Sequence, residues 1–319
     1  MFSIYRIGYL ATISVLVFIF LFGQKLAAQD LKGFNLENSI IPFEDIKDGG
    51  PPKDGIPAID QPKFMDGSKS RLKNNSRILG VFHNGIAKAY PISILNYHEI
   101  VNDFFHENPV VITYCPLCGS GIAFDAKING KATTFGVSGL LYNSDVLLYD
   151  RQTESLWSQL MSKSISGPMV GEVLSMLHTE NTTWGRWKEK HPNTLVLSFD
   201  TGYNRDYNRN PYPNYESSTS VYFPVSDRNT LFHPKEFVLG IEINGKYKAY
   251  PFSELEKSNG GIVHETFQGQ TIKIVYDAKH KSAEIFDDGG KPLPSIANFW
   301  FAWYAFHPDT EVYQRSPKK

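Results

Sequence analysis

The chain repeats itself over a long period. Leu79-Gly80, Asn84-Gly85 and Lys88-Ala89-Tyr90-Pro91 return as Leu239-Gly240, Asn244-Gly245 and Lys248-Ala249-Tyr250-Pro251, all at an offset of 160 residues. The offset then becomes 162, where Val101, Tyr114 and Phe124-Asp125 return as Val263, Tyr276 and Phe286-Asp287. Both copies later reach Trp-x-x-x-His-Pro-x-Thr, at Trp187 to Thr194 and Trp303 to Thr310. Self-similarity of this kind means that one local structure is built twice. Between the shared Phe-Asp and the shared Trp, the first copy is about 46 residues longer.

Each copy reads the same way. An apolar strand turns at Asn-Gly, a hairpin signal, into a second strand. The proline of Lys-Ala-Tyr-Pro then opens a short helix, and further short strands follow. Such strands and turns predict mostly antiparallel pairing. The expected fold is α+β, mainly antiparallel β-sheet with short helices, in two pseudo-repeated halves. Residues 77–230 form the first half, with an insertion, and residues 231–319 the second, degenerate half. Residues 29–76 are turn-rich, and Gly49 to Pro57 suits neither a helix nor a central strand. They are expected to form an extended arm.

The first 28 residues read as a secretory signal peptide. Arg6 precedes an uncharged apolar run from Ile7 to Gly23, and Ala27-Ala28 offers a small-residue cleavage point. A periplasmic or secreted protein is expected. An uncleaved membrane anchor is the alternative and the only membrane contact the sequence suggests. With 32 Lys+Arg against 33 Asp+Glu and no basic cluster, nothing points to nucleic acid.

Tyr114-Cys115-Pro116-Leu117-Cys118-Gly119 holds both cysteines of the chain. Three chemistries suit this spacing. A redox pair needs its first cysteine at a helix N-terminus, where the dipole lowers the thiol pKa, but strand patterns flank this turn. A metal knuckle between strands would aim two thiolates at zinc or copper(I), with His98 or Asp103 completing the shell. A structural disulfide is the third. The second copy reads Tyr276-Asp277-Ala278-Lys279-His280-Lys281 at this turn, so the hairpin does not need cysteine to form. The first copy is therefore expected to be the working half. His98 to Asp103 reads as a strand on which His98 and Asn102 share one face and Glu99 and Asp103 the other.

The insertion carries further polar candidates for a pocket: Ser138, Tyr142, Asp145, Asp150, Arg151, Trp157 and Gln159. Walker, Rossmann, His-Glu-x-x-His and EF-hand motifs are lacking. The expectation is a thiolate site binding a metal, copper or zinc. The alternatives are a thiol–disulfide redox protein and a non-catalytic module that binds an unknown ligand and carries a structural disulfide.

Tyr114 to Gly119, Phe135 to Tyr142, Tyr149-Asp150-Arg151, Ser155 to Gln159 and Trp187 to Pro192 together resemble the domain-of-unknown-function family numbered 3179. Gly49 to Asp60, Lys88 to Pro91, His98 to Asp103 and Tyr222 to Val225 carry the same resemblance, which spans roughly residues 40 to 315. It implies an exported bacterial or archaeal protein and brings no activity with it.

Overall fold

The computed structural model describes residues 30–315. Residues 1–28, the expected signal peptide, lie outside them. Among the described residues no helix is long and apolar enough to cross a membrane.

Three Asn-Gly pairs turn hairpins as their composition dictates. Asn84, Asn129 and Asn244 have φ of 49°, 49° and 52°, and the glycine after each is also at positive φ. The strands Arg77–His83 and Ile86–Pro91 pair antiparallel, and Leu195–Leu197 adds in parallel. Thr179–Thr183 takes the other edge. Phe237–Ile243, Lys246–Pro251, Glu311–Val312 and Ile296–Phe299 form an equivalent sheet in the same order. Leu79 faces Tyr90 in the first sheet, and Leu239 faces Tyr250 in the second. A second pair of equivalent sheets follows. In one, Ile100–Phe105, Asn108–Cys115 and Ser120–Asp125 are consecutive, with Met176–Leu177 at the edge. In the other, Ile262–Phe267, Gln270–Asp277 and Ser282–Asp287 are consecutive.

The repeated residues have clear physical tasks. Trp187 lies flat on Gly80, so that a Cβ there would stand 2.3 Å from the indole. Gly240 meets Trp303 in the same way. Each indole N–H donates to the threonine seven residues on, Thr194 at 2.8 Å and Thr310 at 2.9 Å. His191 and His307 pack on the indoles with ring centres 4.1 and 4.3 Å apart. Gly80→Ala is expected to destabilise the protein by about 1–3 kcal/mol through overpacking, read as a lower urea midpoint. An unchanged midpoint would mean that the indole moves aside freely.

The expected α+β architecture of two halves does not form. Strand dominates, and among the described residues five small sheets of three or more strands are arranged as a five-bladed β-propeller. The repeat accounts for two pairs of blades. The insertion supplies four strands of the fifth, Phe135–Tyr142, Asp145–Asp150, Leu156–Ser158 and Lys163–Ser166. Five blades do not divide into two halves. The helices Ile92–His98, Trp184–Lys190, Phe252–Leu255 and Trp300–Phe306 are at most seven residues long, too short to form a layer of their own.

The arm is knitted into this ring. Ile46–Asp48 is an edge strand of the fifth blade, and Phe64–Asp66 an edge strand beside Leu195–Leu197. Ile59 bridges to Val101. Where the arm crosses Phe135–Tyr142, that strand bulges between Val137 and Leu140. Gly139 sits in the bulge at φ 76°, and a Cβ there would strike the Pro51 carbonyl oxygen at 2.1 Å.

Candidate metal centre

Cys115 ends the strand Asn108–Cys115, and Ser120 opposite it begins the next. Pro116 to Gly119 make the turn between them. Gly119 has φ 63° and lies beneath the Phe299 ring, whose atoms would be 3.0 Å from an added Cβ. The Phe299 N–H donates to the Cys118 carbonyl at 2.8 Å. The turn is thus pinned from one side by a blade of the second copy.

The fifth blade reaches it from another side. Its first hairpin turns at Asn143 and Ser144, with φ of 50° and 66°, between the strands ending at Tyr142 and beginning at Asp145. Both thiols point at this turn and donate to the Ser144 carbonyl, Cys118 at 3.4 Å and Cys115 at 3.7 Å. Asp145 leaves the turn toward the cysteines. The two sulfurs and one Asp145 carboxylate oxygen all lie within 4.8 Å of one another, and all three residues are buried. The Asp145 Oδ2 accepts from the Leu160 N–H at 3.0 Å, while Oδ1 is buried with no hydrogen-bond partner among the described residues. An orphaned carboxylate oxygen beside two thiols is what a cation would satisfy.

Neither cysteine is in a disulfide; both are free and buried. The pair is held by the Ser144 carbonyl, and strands flank it, so no helix dipole lowers either thiol pKa. Burial pushes both thiols up, Cys118 most. Burial also lifts the Asp145 carboxyl to about 7.

A cavity of about 230 Å³ adjoins Cys115. Glu99 lines it, and its backbone carbonyl accepts from the Tyr114 N–H at 2.7 Å. Burial, and then the nearby Asp145, raise the Glu99 carboxyl to about 8. Strand alternation from His98 onward misplaces this residue. His98 is the last residue of the helix Ile92–His98, and Glu99 at φ 56° and ψ −32° breaks the chain direction before the strand begins at Ile100. The repeat held a signal for Glu99. Its counterpart at offset 162 is Gly261, which has φ 71°.

The other candidates have partners elsewhere. His98 is buried, with Nδ1 at 2.7 Å from the Pro57 carbonyl and Nε2 at 2.6 Å from the Tyr207 hydroxyl, so both ring nitrogens are engaged. Asp103 accepts from Lys88 at 2.8 and 2.9 Å and from the Tyr90 hydroxyl at 2.6 Å. The second copy repeats that clamp, with Lys248 and Tyr250 on Glu265. Asp150 caps the turn after it, taking the Thr153 N–H at 2.7 Å and the Trp157 indole N–H at 3.0 Å. Arg151 ties the arm down through Asp60 at 2.6 Å. Ser138 spans the bulge, donating to the Leu147 carbonyl. Tyr142 packs edge-on against Phe306, and Trp157 against Phe135.

Gln159 lies closer to the centre. Its Oε1 accepts from Ser120 at 2.6 Å, and its amide donates to Thr113 at 2.9 Å. It fastens the fifth blade to the strands that carry the cysteine turn. Of the residues singled out from the sequence, the structure joins Asp145 to the cysteine pair, sets Gln159 behind it, and leaves the rest in structural contacts.

No curated protein and no solved structure matches the chain. One family model covers most of it: residues 53–310 match the family described as Protein of unknown function (DUF3179), and the chain belongs to that family.

Proposed function

We propose that Cys115, Cys118 and Asp145 bind one thiophilic metal ion, zinc or copper(I). The observation that carries this reading is the convergence of three buried donors from two blades within 4.8 Å, one of them an oxygen without a partner. Thiolates favour both ions, and three protein donors suit a zinc site that keeps one position open. The adjoining cavity gives such a position something to face. A bound ion would supply Lewis acidity at the cavity wall. The Leu160 N–H, which donates to the Asp145 Oδ2 at 3.0 Å, would orient that ligand, as outer partners do in metal sites. In the same reading the leader carries the chain out of the cytosol.

A thiol–disulfide role fits less well. Exchange needs an accessible, low-pKa thiolate, and these thiols are buried and shifted the other way.

Metal analysis of the full chain, purified without a histidine tag and supplied with zinc or copper(I), tests the proposal. One equivalent per chain is expected. Protein that stays metal-free under both conditions overturns it.

The raised carboxyls give a second test. Unfolded, Asp and Glu titrate near pH 4. Between about pH 4 and 8 the folded, metal-free protein holds protons on Asp145 and Glu99 that the unfolded chain has lost. Their contribution to stability therefore falls as pH rises through that window. The melting temperature of chelated protein is expected to fall between pH 5 and 8, and to fall less in Asp145→Asn. Saturating zinc should flatten the slope, because the cation stabilises the ionised carboxylate. Identical slopes for wild type and Asp145→Asn would remove Asp145 from this account.

A further inference from the structure

Glu99 is costly to keep where it is. A non-glycine residue at φ 56° and ψ −32° lies in a sparsely populated region. The second copy places Gly261 at this point, where positive φ carries no steric cost. Glu99 is also 7% exposed, and its carboxyl has no hydrogen-bond partner among the described residues. A strained, buried and unpartnered carboxyl in one copy, against a relaxed glycine in the other, marks a binding group and not a scaffold need.

The cavity it lines has a definite chemistry. Its walls are largely apolar, including Ile56, Leu117, Val137, Leu141 and Phe223. Its ionisable lining groups are all acids: Glu99, the Cys115 thiol and the phenols of Tyr212 and Tyr222. No lysine, arginine or histidine lines it. The buried Lys235 is engaged elsewhere, donating to the Ser220 carbonyl at 2.6 Å and covering the Tyr215 ring at 4.0 Å. Part of the wall comes from residues 198–236, which contain no strand or helix. Loops this long in a compact fold are usually functional. An anion entering the metal-free cavity would meet only acids, whereas a cation or hydrogen-bond donor would find the free carboxyl.

We propose that this cavity binds a small amphipathic amine, with its apolar body on the aliphatic wall and its ammonium head on Glu99. The inference shares the cavity with the metal reading but does not depend on a bound ion.

Calorimetric titration of the full chain at about pH 9, where Glu99 is ionised and an alkylamine is still an ammonium ion, tests it in zinc-supplied and chelated protein with n-alkylamines from propylamine to hexylamine and with the matching alkanoates. Amine affinity is expected to rise about fourfold per methylene until the cavity is full. Alkanoates should bind the chelated form at least about tenfold more weakly, and Glu99→Gln should lose about tenfold or more for amines, the scale of a charge-assisted hydrogen bond. Leu141→Trp, which fills the cavity, should abolish the dependence on chain length. Equal binding of alkanoates by the chelated form, unchanged binding by Glu99→Gln, or no amine binding in either form overturns the inference. Amine-selective binding by protein that takes up no metal would sink the metal reading alone. Stoichiometric metal without amine selectivity would sink this one alone.

Discussion

Cys118→Ser is expected to lower zinc or copper(I) affinity by well over about 100-fold. Loss of an outer partner of a metal ligand already costs about 10–100-fold, and Cys118 is a direct donor in the proposed centre. Asp145→Asn should weaken binding strongly as well, since the amide keeps an acceptor for the Leu160 N–H but brings no charge to the ion. Both variants should fold. Serine can still donate toward the Ser144 carbonyl, and no disulfide is lost. Competition titration against a chromophoric chelator measures the affinities, and urea denaturation of the metal-free forms checks the fold. If both variants hold metal as tightly as wild type, these residues are not the ligands. If all three are metal-free and equally stable, the cluster is only packing.

The second large effect concerns stability. Asp103→Ala should destabilise the protein by about 3–5 kcal/mol, the cost of leaving a buried charge without its partner. Lys88 and Asp103 are 7% and 6% exposed and meet at 2.8 Å. The Tyr90 hydroxyl and the Phe104 N–H would lose their acceptor too. Glu265→Ala removes the equivalent carboxylate from the second copy but should cost clearly less. Lys248 and Glu265 are 12% and 20% exposed, so water can partly replace the lost contact. Denaturant midpoints of the two variants give the comparison. A smaller loss for Asp103→Ala than for Glu265→Ala would show that burial is not what makes the clamp strong.

That clamp also shows how far the sequence could be read. The recurrence of Lys-Ala-Tyr-Pro and the alignment of Asp103 with Glu265 were visible in the chain. Their common purpose was not, because Lys88 and Tyr90 reach Asp103 across two different sheets. The same limit applies to the surroundings of the cysteine turn. Strand patterns on either side of Cys115 and Cys118 placed the pair on a hairpin turn, since short-range alternation is enough for that. Asp145 was one polar residue among seven in the insertion. Glu99 escaped because alternation was carried through a residue where the backbone reverses.

Local information in this chain determined local structure: the Asn-Gly hairpins, the proline-opened helices and the pairing of successive strands. All of these depend on residues a few positions apart. The repeat added that such units occur twice. Tertiary structure alone decided that the insertion, with Ile46–Asp48 of the arm at its edge, becomes a fifth blade and that the ring has five blades in place of two halves. It also decided that the Asn143-Ser144 turn of that blade meets the cysteine turn. The physical reason is that blade-to-blade packing is set by apolar surfaces that many sequences could supply. No spacing between Cys118 and Asp145 encodes their meeting; it follows only once the sheets close around a common core.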